Sequence, residues 1–300
     1  MTIKILVSDR IFDEGIRLLE EKGYQVTRAW DIPKTELPKI IGDYDVLIVW
    51  SATKVKDELL DNAKKLRVIG RAGEGLDNVD YKIVQKKGIT LVNTPHVSYI
   101  SVAELTIGHM LALARNIVQG TTSLREGKWE KEELMGHEVH GKKLGVIGCG
   151  YIGKAVERLA ISFGMKVLPV EECVYDRFLP LAKMLPQADF ITIHVPLTLH
   201  THHMISTKEF NLMKDGVMLI DCSRGGVVDQ DALYEALVVG KVAGAALDVF
   251  EEEPPKNSKL FKLNNVIATP HMGAQTHEAQ LKASIQIAKA VIETLQKTVS

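Results

Sequence analysis

The chain has 300 residues, a length that calls for two domains rather than one. It is 46% apolar and 25% charged, an ordinary globular balance with ample material for two buried cores. Lys and Arg total 37 against 38 Asp and Glu, so a net charge of -1 excludes the broad basic surface that nucleic acid or an anionic membrane needs.

The first residues, MTIKILVSD, enter a strand pattern at Ile3–Val7 without the apolar core and small-residue cleavage site of a signal peptide. A helical pattern over 11–22 follows. Strand patterns at Val46–Val49 and Leu66–Ile69 then flank a helical pattern at 56–64. Helical periodicity runs long from Ser98 to about Arg125. Beyond it, apolar strands at Leu144–Ile147, Lys166–Val170, Phe190–Val195, Val217–Ile220, Ala243–Leu247 and Val266–Ala268 alternate with helices at 151–163, 206–214 and 230–239. A second long helix is expected from about Thr276 to the end. Continuous apolar strands alternating with helices imply parallel sheets covered on both faces. The fold class expected is therefore α/β, with two doubly wound domains and a cleft between them for a substrate. No stretch approaches the roughly 20 apolar residues of a membrane span. Cys149, Cys173 and Cys222 make no CxxC pair, and their odd number argues against a disulfide framework. A reducing, cytoplasmic compartment is expected.

The strand KLGVI leads into Gly148-Cys149-Gly150-Tyr151-Ile152-Gly153, which opens a helical pattern. GxGxxG alone is a common tight turn. Between a strand and a helix it lets the backbone approach a pyrophosphate at a helix N-terminus. The next strand ends at Glu171, about 20 residues on, where a carboxylate accepts from ribose hydroxyls. Glu172 follows, and no cation comes before Arg177, so a 2′-phosphate meets two carboxylates. The cofactor expected is NAD rather than NADP.

Arg224, Glu253 and His271 each follow an apolar strand. Loops at the carboxyl ends of a doubly wound sheet share one crevice. An Arg fork for a carboxylate, a His with an ordinary pKa near 6.5 and an acid to orient that His make a hydroxy-acid site. Spacing alone is equally compatible with a structural histidine and two surface charges. The cluster His200, His202 and His203 lacks the converging Cys or acid ligands of a zinc site, so no metal is expected. Cys222 has no base beside it and reads as packing.

An ordered set of motifs goes further: RAGEGLDN at 71–78, NTP at 93–95, AELTIGHMLALAR at 103–115, GCGYIGKAV at 148–156, HVPLT at 194–198, DCSRGGVVD at 221–229, GAALDVFEEEPP at 244–255 and TPHMGAQTHEAQ at 269–280. Across nearly its whole length the chain resembles the D-isomer-specific 2-hydroxy acid dehydrogenases, and within them the catalytic unit of the phosphoglycerate-oxidising members. The resemblance implies a Rossmann-type NAD domain at 95–275, inserted into a flavodoxin-like substrate domain made of 1–94 and 276–300. It implies Arg224 as the substrate-orienting Arg, His271 as acid/base and Glu253 as its partner. It implies cofactor contacts at Gly148, Gly150, Tyr151, Ile152, Gly153, Glu171, Val195, Pro196, Cys222, Ser223, Asp248, Gly273 and Ala274. Arg71, Ala72, Gly73, Glu74 and Gly75 match the substrate-binding loop. A homodimer through about 98–136 is implied, with a small hydroxy or oxo acid as the other partner and neither nucleic acid nor membrane.

Three departures stand out. Trp50 occupies a position where phosphoglycerate members carry an Arg for the substrate phosphate, which opens glyoxylate, hydroxypyruvate or another 2-oxo acid as alternatives. The stretch after Glu171 is several residues short. The chain ends at Ser300, so feedback by serine through a C-terminal regulatory domain is not expected. A non-catalytic NAD-binding regulator is the reading from another functional class.

Overall fold

The structure, a computed structural model, describes residues 2–170 and 180–299. In chain order it runs β1 (Lys4–Val7), α1 (Asp13–Glu21), β2 (Gln25–Arg28), α2 (Leu37–Ile40), β3 (Val46–Val49), α3 (Asp57–Leu60), β4 (Val68–Arg71), α4 (Tyr81–Lys86) and β5 (Thr90–Asn93). It continues with α5 (Tyr99–Ala114), α6 (Ile117–Arg125), β6 (Lys143–Ile147), α7 (Tyr151–Ser162), β7 (Lys166–Val170), α8 (Leu181–Met184), β8 (Phe190–Ile193), α9 (Thr207–Leu212) and β9 (Val217–Asp221). The last elements are α10 (Gln230–Val238), β10 (Val242–Leu247), β11 (Val266–Ala268) and α11 (His277–Val299). The chain divides into two compact units, one of residues 1–98 and 275–300, the other of 99–274.

The first unit is built on a parallel sheet of order β2-β1-β3-β4-β5, the flavodoxin-like arrangement. The strand side chains alternate between two cores, as the period of two dictates. Ile5, Val7, Val46, Ile48 and Val68 face α1 and α11. Leu6, Leu47, Val49 and Ile69 face Leu37, Leu59, Leu60 and Val84 of the short helices. Each fully buried Leu or Ile contributes about 1.5–3 kcal/mol relative to exposure. In α11, Ala283, Ile287, Ala288, Val291 and Leu295 recur at the spacing of one helical stripe and are buried. Gly15 of α1 packs so closely on this helix that a Cβ there would lie 2.4 Å from the Ser284 carbonyl oxygen.

The second unit is a six-stranded parallel sheet of order β11-β10-β9-β8-β6-β7. It is doubly wound, with α5 and α7 covering one face and α8, α9 and α10 the other. Among the described strands β7 alone lies on the far side of β6, so the strand order reverses between β6 and β8, where ligands of such sheets bind.

Several local expectations are corrected. The long helix expected over 98–125 is two helices, α5 and α6. Asn116 between them has φ 51°, a left-handed conformation Asn tolerates better than most residues. The segment 135–137 crosses the break. His137 donates its backbone N–H to the Ala114 carbonyl at 2.7 Å, and the Asn116 amide donates to the Met135 carbonyl at 3.3 Å. The orphan carbonyl of the last helical turn is thus satisfied from outside the helix. The helix expected at 56–64 is only the single turn of α3, and β2 and β5 are additional strands at the two edges of the first sheet. Among the described residues, no helix is long and apolar enough to cross a membrane.

Candidate active site

In the second unit, the strand ends carry the residues singled out from sequence. β6 runs into Gly148, whose φ of 93° and distance to the next strand exclude a side chain: a Cβ would lie 2.5 Å from the His194 carbonyl oxygen. Gly150 is the N-cap of α7, with no side chain to cap it. Among the described residues, a Cβ on Gly150 would meet nothing within 4 Å. Tyr151 is exposed, Ile152 is half-buried, and Gly153 is buried in the first turn. The N–H groups of that turn, with the positive end of the helix dipole, suit a pyrophosphate. Glu171 lies outside the described residues. The adjacent loop after β8 holds half-buried Val195 and exposed Pro196.

β9 ends at Asp221, whose Oδ1 accepts from the Ser223 N–H at 2.9 Å and the Ser223 hydroxyl at 2.6 Å. Burial pushes this carboxyl up to about 6, against the hydrogen bonds from Ser223 and the charge of Arg224. Cys222 is buried, and burial pushes its thiol well above the ordinary range, so it packs as a neutral side chain. Arg224 follows, with its guanidinium donating to the Ser223 carbonyl at 2.7 Å. Gly225 lets this loop press on the next one, because a Cβ there would fall 1.8 Å from the Phe250 carbonyl oxygen.

That next loop, after β10, carries Glu253. Its Oε1 accepts from the Phe250 N–H at 3.1 Å, and its Oε2 pairs with His271 Nδ1 at 2.7 Å. His271 follows β11 with φ 48°. The hydrogen bond to Glu253 raises the His271 pKa above its ordinary value, more than burial and the Arg224 charge lower it. Burial raises the Glu253 carboxyl, but the hydrogen bond and charge of His271, with help from Arg224, bring it below its ordinary value. The side chains of the pair are 44% and 38% exposed. With Nδ1 committed to the carboxylate, Nε2 is the nitrogen left to exchange a proton with a reactant. The structure thus brings Arg224, Glu253 and His271 together at three neighbouring strand ends.

The turn bearing His271 has its own support, which spacing did not disclose. Asp248 is buried and accepts three hydrogen bonds: from the N–H of Met272 and of Gly273, each at 2.8 Å, and from the Thr269 hydroxyl at 2.6 Å. Thr269 Oγ1 also lies 3.3 Å from Nε2 of His109, a buried residue of α5. The resemblance implies Asp248 and Gly273 as cofactor contacts only, and it gives His109 no role. The clue to His109 in sequence is polarity: Thr106 and His109 interrupt an apolar helix three residues apart and are both buried. Ala274 is half-buried beside this turn.

The first unit holds the remaining residues. Arg71 ends β4 and donates to the Ala72 carbonyl at 3.2 Å. Ala72 is buried, and Gly73, with φ 120°, donates its N–H to Thr94 Oγ1 at 2.6 Å. The Glu74 carbonyl accepts from the Asn93 amide at 2.9 Å, and Gly75 is half-buried. Buried Asp9 anchors the loop after β3, accepting from the N–H of Trp50 and of Thr53, from the Thr53 hydroxyl and from Lys34. The Trp50 indole is half-buried on the core beside β1 and α11. Among the described residues, no group of three or more His, Cys, Asp or Glu side chains is arranged to hold a metal ion.

Comparison with known proteins gives the family. The family model "D-isomer specific 2-hydroxyacid dehydrogenase, NAD binding domain" matches residues 107–273. A D-3-phosphoglycerate dehydrogenase of Methanocaldococcus jannaschii is 47% identical across 98% of this chain, which spans 58% of that relative's length. A hydroxypyruvate reductase of Thermotoga maritima is 45% identical, across 97% of this chain and 98% of its own. Among solved structures, a D-lactate dehydrogenase of Aquifex aeolicus complexed with NAD and lactic acid superposes with a TM-score of 0.83. It is 30% identical and is covered over 99% of this chain and 96% of its own.

Proposed function

The chain belongs to the D-isomer-specific 2-hydroxyacid dehydrogenases, and from that premise we propose that it interconverts a small D-2-hydroxy acid and its 2-oxo acid with NAD. The observation that carries this reading is the His271–Glu253 pair at 2.7 Å beside Arg224. NAD, when bound, supplies the hydride acceptor in oxidation and the donor in reduction. Gly148, Gly150 and the first turn of α7 hold its pyrophosphate. Arg224 binds the substrate carboxylate and polarises the reacting oxygen. His271 Nε2 takes the hydroxyl proton in oxidation and returns it in reduction, and Glu253 stabilises the resulting imidazolium. A non-catalytic regulator has no need of an acid–base pair so arranged.

The favoured substrate is D-3-phosphoglycerate, oxidised to 3-phosphohydroxypyruvate as a supply reaction for serine. The Methanocaldococcus relative supports it, and Arg71 and exposed Lys54 are the cations of the first unit's loops that would meet a phosphate. One observation favours a second reading. Trp50 places an uncharged indole where a phosphate-binding cation is expected, and the Thermotoga hydroxypyruvate reductase matches over its full length. An uncharged side chain at that position suits hydroxypyruvate or glyoxylate. NADH and NADPH absorbance, followed with D-3-phosphoglycerate, D-lactate, D-glycerate, phosphohydroxypyruvate, hydroxypyruvate and glyoxylate, separates the two. Turnover of the phosphorylated pair with NADH is the expected result. Turnover of unphosphorylated acids alone moves the substrate to the second reading, and no turnover of any acid refutes the dehydrogenase.

The protein works as a homodimer in the cytoplasm on this reading. Ile117, Val118 and Leu124 of α6, with Trp129 (81% exposed) and Met135 (83% exposed), are exposed apolar side chains that a second copy would cover. Sedimentation at twice the chain mass is expected, with Trp129→Glu shifting the protein toward the monomer. A monomer before substitution sinks the dimer.

A further inference from the structure

The only proton on the Thr269 hydroxyl goes to Asp248, because a carboxylate engaged by two backbone N–H groups and a hydroxyl at 2.6 Å acts as acceptor toward all three. Thr269 Oγ1 can therefore meet His109 only as an acceptor. His109 must donate from Nε2, and its ring is the Nε2–H tautomer. The other nitrogen, Nδ1, is buried and has no hydrogen-bond partner among the described residues, so no competing bond sets the tautomer. The line from His109 through Thr269 to Asp248 ends on the N–H groups of Met272 and Gly273, immediately after His271. Thr269 holds the turn from its other side as well: its carbonyl accepts the His271 N–H at 3.0 Å, and its own N–H is fixed on the Leu247 carbonyl at 2.9 Å. His271 itself sits at a φ of 48°, which costs strain and persists only where the surroundings determine it.

We propose that His109 is a positioning residue for the proton-transfer step: its Nε2–H, acting through Thr269 and Asp248, fixes the turn that aims His271 at the substrate and at Glu253. The proposal rests on the acid–base role given to His271 above. His109 is buried in α5 and acts through Thr269 and Asp248. It fixes the Thr269 rotamer, so that the hydroxyl proton points at Asp248 rather than back at the helix. A turn released from this line lets the imidazole drift, and small misplacements of a reacting group lower rates steeply. Burial also holds the His109 pKa below its ordinary value, so the donor stays neutral while His271 titrates.

The first test does not depend on activity. Long-range ¹H–¹⁵N spectra of the ring nitrogens, with His109 identified by the signal lost in His109→Gln, are expected to show a pyrrole-like Nε2 and a pyridine-like Nδ1 from pH 6 to 9, a range about His271's ordinary value of ~6.5. The opposite tautomer, or a charged ring, overturns the inference. The second test is kinetic. In His109→Leu, kcat of oxo-acid reduction is expected to fall by about ten- to a hundredfold, the scale of a misaligned reacting group. KM for NADH stays unchanged, and the alkaline limb of the pH profile moves to lower pH as His271 loses its hold on Glu253. His109→Gln, which keeps a donor, is expected to restore most of kcat. Unchanged kcat and pH profile in His109→Leu overturn the proposal. If that variant does not fold, Thr269→Val against Thr269→Ser asks the same question of the hydroxyl. No turnover by the unsubstituted chain refutes the proposed function, whereas the tautomer and the variant series decide the role of His109.

Discussion

Replacing His271 with alanine is expected to lower kcat by about 10²- to 10⁴-fold in both directions, the usual cost of removing a positioned general acid–base. Nothing else among the three strand-end residues can replace it. The Arg224 guanidinium is a donor with no acceptor atom, and Glu253 is held below its ordinary value as an acceptor. The substitution does not relieve the backbone, since alanine tolerates a φ of 48° no better than histidine does. The glycine-rich turn lies at other strand ends, so NADH binding measured by fluorescence should persist while turnover collapses. Near-normal kcat in His271→Ala, with the protein folded and NADH bound, rejects this histidine as the acid–base.

Much of the architecture was legible because a parallel sheet buried on both faces needs continuous apolar runs, and β3, β8 and β9 are such runs. The strands that escaped, β2 and β5, are the edges of the first sheet. QVTR and TLVN are half-exposed, so their sequences carry too little apolar signal to stand out from loops. The break at Asn116 escaped for a different reason. The apolar period continues across it, and what ends the helix is a distant segment, 135–137, bonding to the helix end. The same distinction divides the site. Arg224, Glu253, His271 and the glycine-rich turn follow strands in sequence, so a strand reading places them at one end of a sheet. The line from His109 to Asp248 joins residues 160 and 21 positions apart, and no local pattern encodes that meeting.

The pairing of Glu253 with His271 fixes the sign of the pH dependence. The hydrogen bond to Glu253 raises the His271 pKa and its charge adds to the effect, while burial and Arg224 oppose it. Reduction needs protonated His271, so its rate falls as pH rises through that pKa. Oxidation needs the neutral ring, so its rate rises through the same pKa. Glu253→Gln keeps the size of the side chain and an acceptor oxygen but removes the charge, and the His271 pKa must fall. Both limbs therefore move to lower pH together: the alkaline limb of reduction retreats, and the acid limb of oxidation extends. At neutral pH the variant loses more reduction than oxidation. The additional loss in pH-independent kcat is expected to be about tenfold. That is near the low end of the ~1.5–3 kcal/mol of a charged hydrogen bond, because side chains 44% and 38% exposed are screened by water. Full pH profiles in the two directions decide the matter. A shift in only one direction would mean that another group limits the other, and limbs that stay in place would separate Glu253 from the titration of His271 altogether.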